Sequence, residues 1–349
     1  MFKNNILISA AFVFIVFLSW GITAWVKHYA LNNSIMDHPN QRSLHSVPIP
    51  RGGGLSISLI ILSGVLILWL YKLLSIELTM AAFIGGSLVA LIGWLDDRSN
   101  FPIVARALFY LFASIWSVCW ILGIGEVANI DNILYIFCLI VGTAWMTNLY
   151  NFMDGSDGIA AIQAISAGIM GGIFLININE PGLVYLILII IASSTGFLIW
   201  NWPPARIFMG DIGSCLLGFI YSIIIIETYI NNMLPLSIWL ILFSVFICDA
   251  SLTLLLRVAS GKKWYRAHRQ HGYQLYILMG KTHKQLICVI LGINIIILYP
   301  TSFFAFNYVE YQWWITLAVY SFLTGIWITI QIQHKNNSHK ETMEQIIIS

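Results

Sequence analysis

The chain has 349 residues, of which 59% are hydrophobic and only 9% are charged, and its formal net charge is +2. In soluble domains roughly a quarter of the residues are charged, so this composition excludes a soluble globular protein. The five cysteines lie in apolar stretches without the spacing of a metal site, which indicates small core residues.

Apolar stretches recur along the whole chain, and each is long enough to cross a bilayer core of about 30 Å. The sequence therefore predicts an all-α polytopic membrane protein with about 11 helices in one transmembrane domain, 1–335, followed by a short polar tail, 336–349. The first stretch is interpreted as a retained span, because it ends without the cleavage site of a signal peptide. The predicted spans are 6–26, 54–74, 78–95, 107–125, 131–147, 158–176, 183–200, 213–230, 236–256, 285–304 and 312–332.

The loops between these spans differ in charge. Counted alternately, they place 15 of the 17 Lys and Arg residues on one side and only Lys3 and Lys72 on the other. The positive-inside rule makes the basic side cytoplasmic, which predicts an outer N-terminus and an inner C-terminus. The polar motifs fall on the same side, so we expect a cytoplasmic active site. A transporter is less expected, because its polar groups would lie near the midplane of the membrane.

The first cytoplasmic loop contains Arg51 followed by three glycines at 52–54. A glycine run of this kind is weak evidence for phosphate binding, and the GxxxxGKS motif of a P-loop is absent.

Two adjacent aspartates, Asp96 and Asp97, close the third span. A carboxylate beside hydrocarbon is costly, and two carboxylates in one site share a proton or need a cation. We interpret the pair as functional. The alternative is a solvated helix end that pairs with Arg98.

The string NLYNFMDGSDG after the fifth span contains Asn148, Asn151, Asp154 and Asp157. If the helix continues, residues three apart point the same way, and each Gly after an Asp fits a tight turn that can approach a ligand closely. Amide and carboxylate oxygens suit Mg²⁺ or Mn²⁺. A metal or substrate site is predicted, with a purely structural turn as the alternative.

The string FMGDIGS opens the eighth span and places Asp211 at or near the start of a helix. Free backbone N–H groups and the helix dipole favour negative charge there. Asp211 is interpreted as a metal ligand beside amides that meet phosphate oxygens, and simple capping is the alternative.

The loop between the ninth and tenth spans carries a cationic cluster. The positive-inside rule accounts for about half of its charges, and its two histidines lack the further ligands of a zinc site. Phosphate or sugar binding is therefore predicted, and Asp249 in the ninth span is either a partner of a basic group or a buried site residue. The cluster comprises Arg257, Lys262, Lys263, Arg266, His268, Arg269 and His271.

In order and spacing, these motifs resemble the polyprenyl-phosphate N-acetylhexosamine-1-phosphate transferase superfamily. The resemblance extends over about 37–274 and depends on the Asp96-Asp97 pair, the NxxNxxDGxDG string, the FMGDxGS string and the histidine-bearing last loop. It implies Asn151 and Asp211 as ligands of Mg²⁺ or Mn²⁺ and Phe208 as the aromatic side chain that stacks on uracil.

The resemblance also implies roles for the other polar residues. It makes Asp96, Asp97, Asp154 and Asp157 the catalytic carboxylates. It makes Arg106, His268, Arg269 and His271 substrate contacts, and the motifs themselves predict Arg51, Asn148 and Arg266 as further substrate contacts.

The implied enzyme is a Mg²⁺-dependent phosphoglycosyl transferase that moves an N-acetylhexosamine 1-phosphate from a UDP-sugar to undecaprenyl phosphate and releases UMP. His268 and His271 are separated, whereas the peptidoglycan enzymes carry three consecutive histidines, so the likeness is to the O-antigen initiating group, which uses UDP-N-acetylglucosamine or 6-deoxy relatives. A phospho-N-acetylmuramoyl-pentapeptide transferase and a cation-coupled lipid transporter are the alternatives. The expected partners are the donor, the acceptor and membrane lipid, without nucleic acid, and a homodimer is left open.

Overall fold

The structure is a computed structural model that describes residues 2–39, 44–99, 101–123, 133–263 and 268–348. In these ranges the chain is almost entirely helical, apart from an antiparallel pair of two-residue strands, β1 (Met36–Asp37) and β2 (Ile49–Pro50). The helices are α1 Phe2–Asn32, α2 Leu55–Leu70, α3 Ile76–Ser99, α4 Ile103–Leu122, α5 Ile133–Met153, α6 Ile159–Asn177, α7 Pro181–Asn201, α8 Asp211–Ile230, α9 Leu236–Leu242, α10 Ser244–Ala259, α11 Gly272–Leu278, α12 His283–Asn307 and α13 Gln312–Ile348.

In the described part of the chain, nine helices are long and apolar enough to cross a membrane. The pair α9 and α10, bent by 77°, would make a tenth span, and α2 is a shorter apolar helix. Together they coincide with the eleven predicted spans, so the prediction of an all-α polytopic membrane protein is confirmed. A helix satisfies its own backbone N–H and C=O groups, which hydrocarbon cannot do.

Several helices continue beyond the apolar stretches that predict them. The helix α3 includes Asp96 and Asp97, and α5 includes Asn148 and Asn151. The helix α13 continues through 336–348, which the sequence predicts as a tail. Hydropathy marks the end of the apolar segment, whereas the helix itself continues until a turn or a cap ends it. The polar motifs are therefore carried on helix ends.

The chain forms two compact units, and the first comprises residues 1–38 and 48–236. It contains α1 to α8, and α8 is buried along most of its length and packs mainly on α3 and α5. Near its N-terminus α8 approaches the start of α2 so closely that a Cβ atom on Gly54 would collide with the backbone of Gly213. The first turn of α8 is thus surrounded by neighbouring elements that bring polar side chains to it.

The second unit comprises residues 39–47 and 237–349. An apolar cluster that includes Ile241, Cys248 and Leu323 lies in its interior. The Tyr320 hydroxyl donates to the Leu240 carbonyl at 3.1 Å, which satisfies a polar group in apolar surroundings.

Candidate active site

The first turn of α8 is the centre of the candidate site. Asp211 begins the helix, and Gly210 before it has φ +77°, a left-handed conformation that glycine adopts at little cost. A Cβ atom at this position would collide with the carboxylate of Asp97. The glycine therefore allows a carboxylate from α3 to reach the amides of α8.

Asp97 accepts hydrogen bonds from two successive amides of that turn. Its Oδ1 accepts from the Asp211 N–H at 3.1 Å and its Oδ2 from the Ile212 N–H at 3.3 Å. The residue is only 4% exposed. Because the first amides of a helix lack partners within the helix, Asp97 caps α8 from a neighbouring helix.

Asp96 points to a different partner. Nη1 of Arg106, on α4, donates to Asp96 Oδ2 and also to Asp211 Oδ2, the latter at 2.7 Å. The three side chains retain 18–20% of their exposure. Arg98 instead lies over the Trp94 ring at 4.1 Å, so the local pairing considered for Arg98 is not the one formed. One guanidinium therefore links α3, α4 and α8.

Asn151 is held beside the same turn by a cysteine. Its Nδ2 donates to Cys215 Sγ at 3.2 Å, and the Tyr110 hydroxyl donates to the same sulfur at 3.3 Å. Cys215 follows Asp211 by four residues and so lies on the same face of α8. Sequence reasoning missed Cys215 and Tyr110 as site residues, and the spacing of four residues between Asp211 and Cys215 is the signal that could have found Cys215. Asn148 donates instead to the Ala144 carbonyl of its own helix at 2.8 Å.

Asp154 lies in the turn between α5 and α6 and is partly buried. Burial raises its pKa well above the ordinary value of 3.8, and the negative charges of Asp211, Asp97 and Asp157 raise it further. These interactions place Asp154 in the electrostatic field of the α8 site. The local excess of negative charge favours a bound cation.

Asp157 organises the loop between α7 and α8. Its Oδ2 accepts from the Ala205 N–H at 2.9 Å, and the residue is 7% exposed. Asn201 makes a parallel link, because its Oδ1 accepts from the Gly158 N–H at 2.8 Å and its Nδ2 donates to the Ile207 carbonyl at 2.9 Å. Sequence reasoning missed Asn201, which lies at the end of an apolar helix.

The glycine run in the first loop pairs with the segment before α8. The Gly53 N–H donates to the Phe208 carbonyl at 2.9 Å, the Gly54 N–H to the Met209 carbonyl at 2.8 Å, and the Phe208 N–H to the Pro50 carbonyl at 2.8 Å. These two glycine amides therefore serve main-chain pairing and are not available to a phosphate. Arg51, next to them, attracts the Asp97 carboxylate electrostatically.

The donor atoms around α8 fit a hard divalent cation. Carboxylates and an amide oxygen are available from Asp211, Asp154 and Asn151, and Mg²⁺ usually takes one or two carboxylates beside water and substrate phosphates. No group of three or more His, Cys, Asp or Glu side chains able to hold a metal occurs in the described residues. A cation held by these residues would take its remaining ligands from water and substrate.

The second unit holds the polar cluster of the last loop. Asp249 on α10 accepts from the Gly272 N–H at 2.6 Å and from the Tyr273 N–H at 2.9 Å, and its Oδ1 lies 3.7 Å from His271 Nδ1. The Thr253 hydroxyl donates to the same carboxylate at 3.2 Å. Asp249 thus caps α11 and fixes the backbone that carries His271. Asp249 is buried and lies beside His271, and whether it acts as the partner of a basic group or as a site residue stays a prediction.

Arg257 contacts two described residues of this loop: it donates to Gln270 Oε1 at 2.7 Å and to the Lys263 carbonyl at 2.8 Å. The rings of His268 and His271 stack with centroids 4.8 Å apart. Burial lowers the pKa of His268 to about 4, and the neighbouring His271 and Arg257 lower it further. Arg269 is part of the same loop, and the predicted contact Arg266 lies outside the described residues.

Comparison with known proteins agrees with this arrangement. The family described as glycosyl transferase family 4 matches residues 79–229. This range contains the residues described around the first turn of α8, but not Arg51 or the glycine run at 52–54. The chain is 28% identical over 311 residues to a probable undecaprenyl-phosphate N-acetylglucosaminyl 1-phosphate transferase of Bacillus subtilis, with 84% of each chain covered.

More distant relatives extend the comparison. An undecaprenyl-phosphate alpha-N-acetylglucosaminyl 1-phosphate transferase of Yersinia pestis is 23% identical, with 81% of this chain and 80% of the relative covered. A phospho-N-acetylmuramoyl-pentapeptide-transferase of Streptococcus thermophilus is 29% identical over 38% of this chain and 44% of its own length. These comparisons support the resemblance of the chain to the polyprenyl-phosphate N-acetylhexosamine-1-phosphate transferase superfamily.

Proposed function

We propose that this membrane protein transfers N-acetylglucosamine 1-phosphate, or a 6-deoxy N-acetylhexosamine 1-phosphate, from a UDP-sugar to undecaprenyl phosphate and releases UMP. The observation that carries the proposal is the convergence of Asp96, Arg106 and Asp211 from three helices at the start of α8. Such a site combines hard oxygen ligands with a cation, as transfer between two phosphates requires. The names of the Bacillus and Yersinia relatives support the same reaction.

In the proposed reaction, an oxygen of the lipid phosphate attacks the phosphorus that carries the sugar. The bond from that phosphorus to the bridging oxygen of UMP breaks, and the C1–O bond of the sugar is left intact. A phosphate monoester has a second pKa of about 6, so the acceptor is largely dianionic at neutral pH. The protein therefore needs to position two anions and balance their charge rather than create a strong nucleophile.

The residues of the chain divide this work. A Mg²⁺ ion bound through Asp211 and Asn151 would neutralise the diphosphate and the departing UMP. The side chains of Arg106 and Arg51 add positive charge beside the Asp96-Asp97 pair. Asp97 keeps the first turn of α8 in place, and Asp157 fixes the loop that carries Phe208, the proposed uracil platform.

The donor sugar is proposed to meet the last loop through His268, Arg269 and His271. The stacked pair of histidines and the Asp249 cap give this loop a defined conformation. The separated histidines argue for an N-acetylglucosamine-type donor and for a role in starting O-antigen or a related envelope glycan. With the basic loops inside, we propose that the reaction takes place on the cytoplasmic side.

The test is UMP release by the purified full-length protein with undecaprenyl phosphate and a panel of UDP-sugars, with and without EDTA. The panel includes UDP-N-acetylglucosamine, its 6-deoxy relatives and UDP-N-acetylmuramoyl-pentapeptide. The proposal requires UMP and a lipid diphosphate sugar from the first group, dependent on added Mg²⁺. Turnover of the pentapeptide donor alone would assign the peptidoglycan reaction, and binding without UMP release would favour a transporter.

A further inference from the structure

Arg106 holds two carboxylates with a single nitrogen. Its Nη1 donates both to Asp96 Oδ2 on α3 and to Asp211 Oδ2 on α8. Arginine more often binds one carboxylate through two parallel bonds from two nitrogens. Here a single guanidinium nitrogen, Nη1, lies between two acidic side chains from different helices.

The arrangement answers a problem of charge. Asp96 and Asp211 are only 18% and 20% exposed, and two carboxylates brought to one point in partly buried surroundings repel each other unless they share a proton or a cation lies between them. Arg106 is that cation in this structure. The proposed Mg²⁺ site uses Asp211 as well, and an oxygen atom shared with a guanidinium is a weaker ligand for a metal.

We propose that Arg106 is an exchangeable counter-ion, which neutralises Asp96 and Asp211 in the metal-free enzyme and leaves Asp211 when a divalent cation binds there. The inference rests on the proposed function, because it takes Asp211 as the metal ligand. Metal entry and release of the guanidinium are then one linked step. The freed guanidinium keeps its link to Asp96 and can donate to the phosphate oxygens that arrive with the donor, which suits its planar geometry.

This linkage predicts that removing Arg106 helps the metal and harms the donor. The probe is Mn²⁺ alone, measured by electron paramagnetic resonance on the full-length protein in detergent without substrate. Arg106→Gln is expected to bind Mn²⁺ about tenfold more tightly than the wild type, within the range of typical coupling between two ligands. Arg106→Lys keeps the competing charge and should stay near the wild-type affinity.

Arg98→Gln is the matched control. Arg98 lies over the ring of Trp94, at the end of the helix that also carries Asp96. Within the described residues no ion pair to Arg98 is found. The same loss of one positive charge should leave its Mn²⁺ affinity within about twofold of the wild type, because exposed charges are screened by salt. Asp211→Asn should abolish tight Mn²⁺ binding both in the wild type and in the Arg106→Gln variant.

Thermal unfolding provides a second readout. In EDTA, Arg106→Gln should unfold at a lower temperature than the wild type, and Mn²⁺ should raise its unfolding temperature by more than it raises that of the wild type. Unchanged or weaker Mn²⁺ binding by Arg106→Gln, or equal tightening in Arg98→Gln, overturns the counter-ion proposal. If either of these outcomes is found but the wild type still releases UMP, the proposed function stands and only the counter-ion role fails.

Discussion

Replacing Asp97 by Asn tests whether this carboxylate stabilises the start of α8. The carboxylate accepts from two backbone amides through two different oxygens and is 4% exposed. An Asn side chain has one oxygen, so it can keep one of these bonds. Its NH₂ group would then face the other amide, and two donors would point at each other.

The cost follows from the geometry. A buried donor left without a partner costs about 1–3 kcal/mol in the free energy of unfolding. Flipping the Asn amide by 180° does not relieve it, because the NH₂ group then faces the other backbone N–H. For a unit of this size, that loss lowers the unfolding temperature by about 2–12 °C.

The assay is thermal unfolding of the purified protein in detergent, in EDTA so that no metal contributes. Asp96→Asn is the control, because Asp96 accepts from the Arg106 side chain and is 18% exposed. The control should lose less stability than Asp97→Asn. An Asp97→Asn protein that unfolds at the wild-type temperature yet releases no UMP would refute the capping argument and assign Asp97 a chemical role.

Three further outcomes are expected. Asp211→Asn keeps the size of the side chain but removes the charge that a hard cation needs, so Mg²⁺-dependent UMP release should fall by about 10²-fold or more. Near-normal activity of this variant would exclude the metal-ligand role. Phe208→Ala should weaken UDP-sugar binding by about 1–3 kcal/mol if the ring stacks on uracil, measured by titration calorimetry, with acceptor use changed less. The pKa of His268 lies near 4 in the folded chain, below the ordinary 6.5, so its neutral ring contributes stability that is complete above pH 6.5 and lost as the pH falls towards 4. Unfolding temperatures compared at pH 7.5 and pH 5 should therefore drop more for the wild type than for His268→Gln, and an equal drop would contradict the shift.

The fold class could be predicted from the sequence because a membrane span needs an uninterrupted apolar length that few other structures use. The residue at which each helix ends could not be predicted in this way. Asp96, Asp97, Asn148 and Asn151 all lie beyond the apolar stretches, on helical turns that continue into polar sequence. Their positions depend on neighbouring elements, which hydropathy does not describe.

The residue types of the candidate site can be predicted from the sequence, but the contacts between them cannot. Asp96 and Asp97 look alike in the sequence, yet successive residues on a helix point about 100° apart. One therefore meets Arg106 and the other meets the backbone of α8. The rotation of α3 against α8, which decides between them, comes from packing, and Gly93 contributes to it because a Cβ there would meet the Asp211 backbone at 2.6 Å.

Asn201 and the glycine run show the same limit for main-chain contacts. Asn201 links Gly158 to Ile207, and the glycines pair with residues more than 150 positions away. Local sequence gives no sign of such distant pairing. In the sequence the glycine run is only weak evidence for phosphate binding, and in the structure the amides of Gly53 and Gly54 pair with the main chain instead.

The pairing of Gly53 and Gly54 with Phe208 and Met209 also bears on drug resistance. A side-chain substitution does not remove the main-chain donors and acceptors of these bonds, and Gly54 tolerates no Cβ beside Gly213. A mutation that displaces this segment would therefore damage the enzyme together with the binding of any inhibitor seated on it.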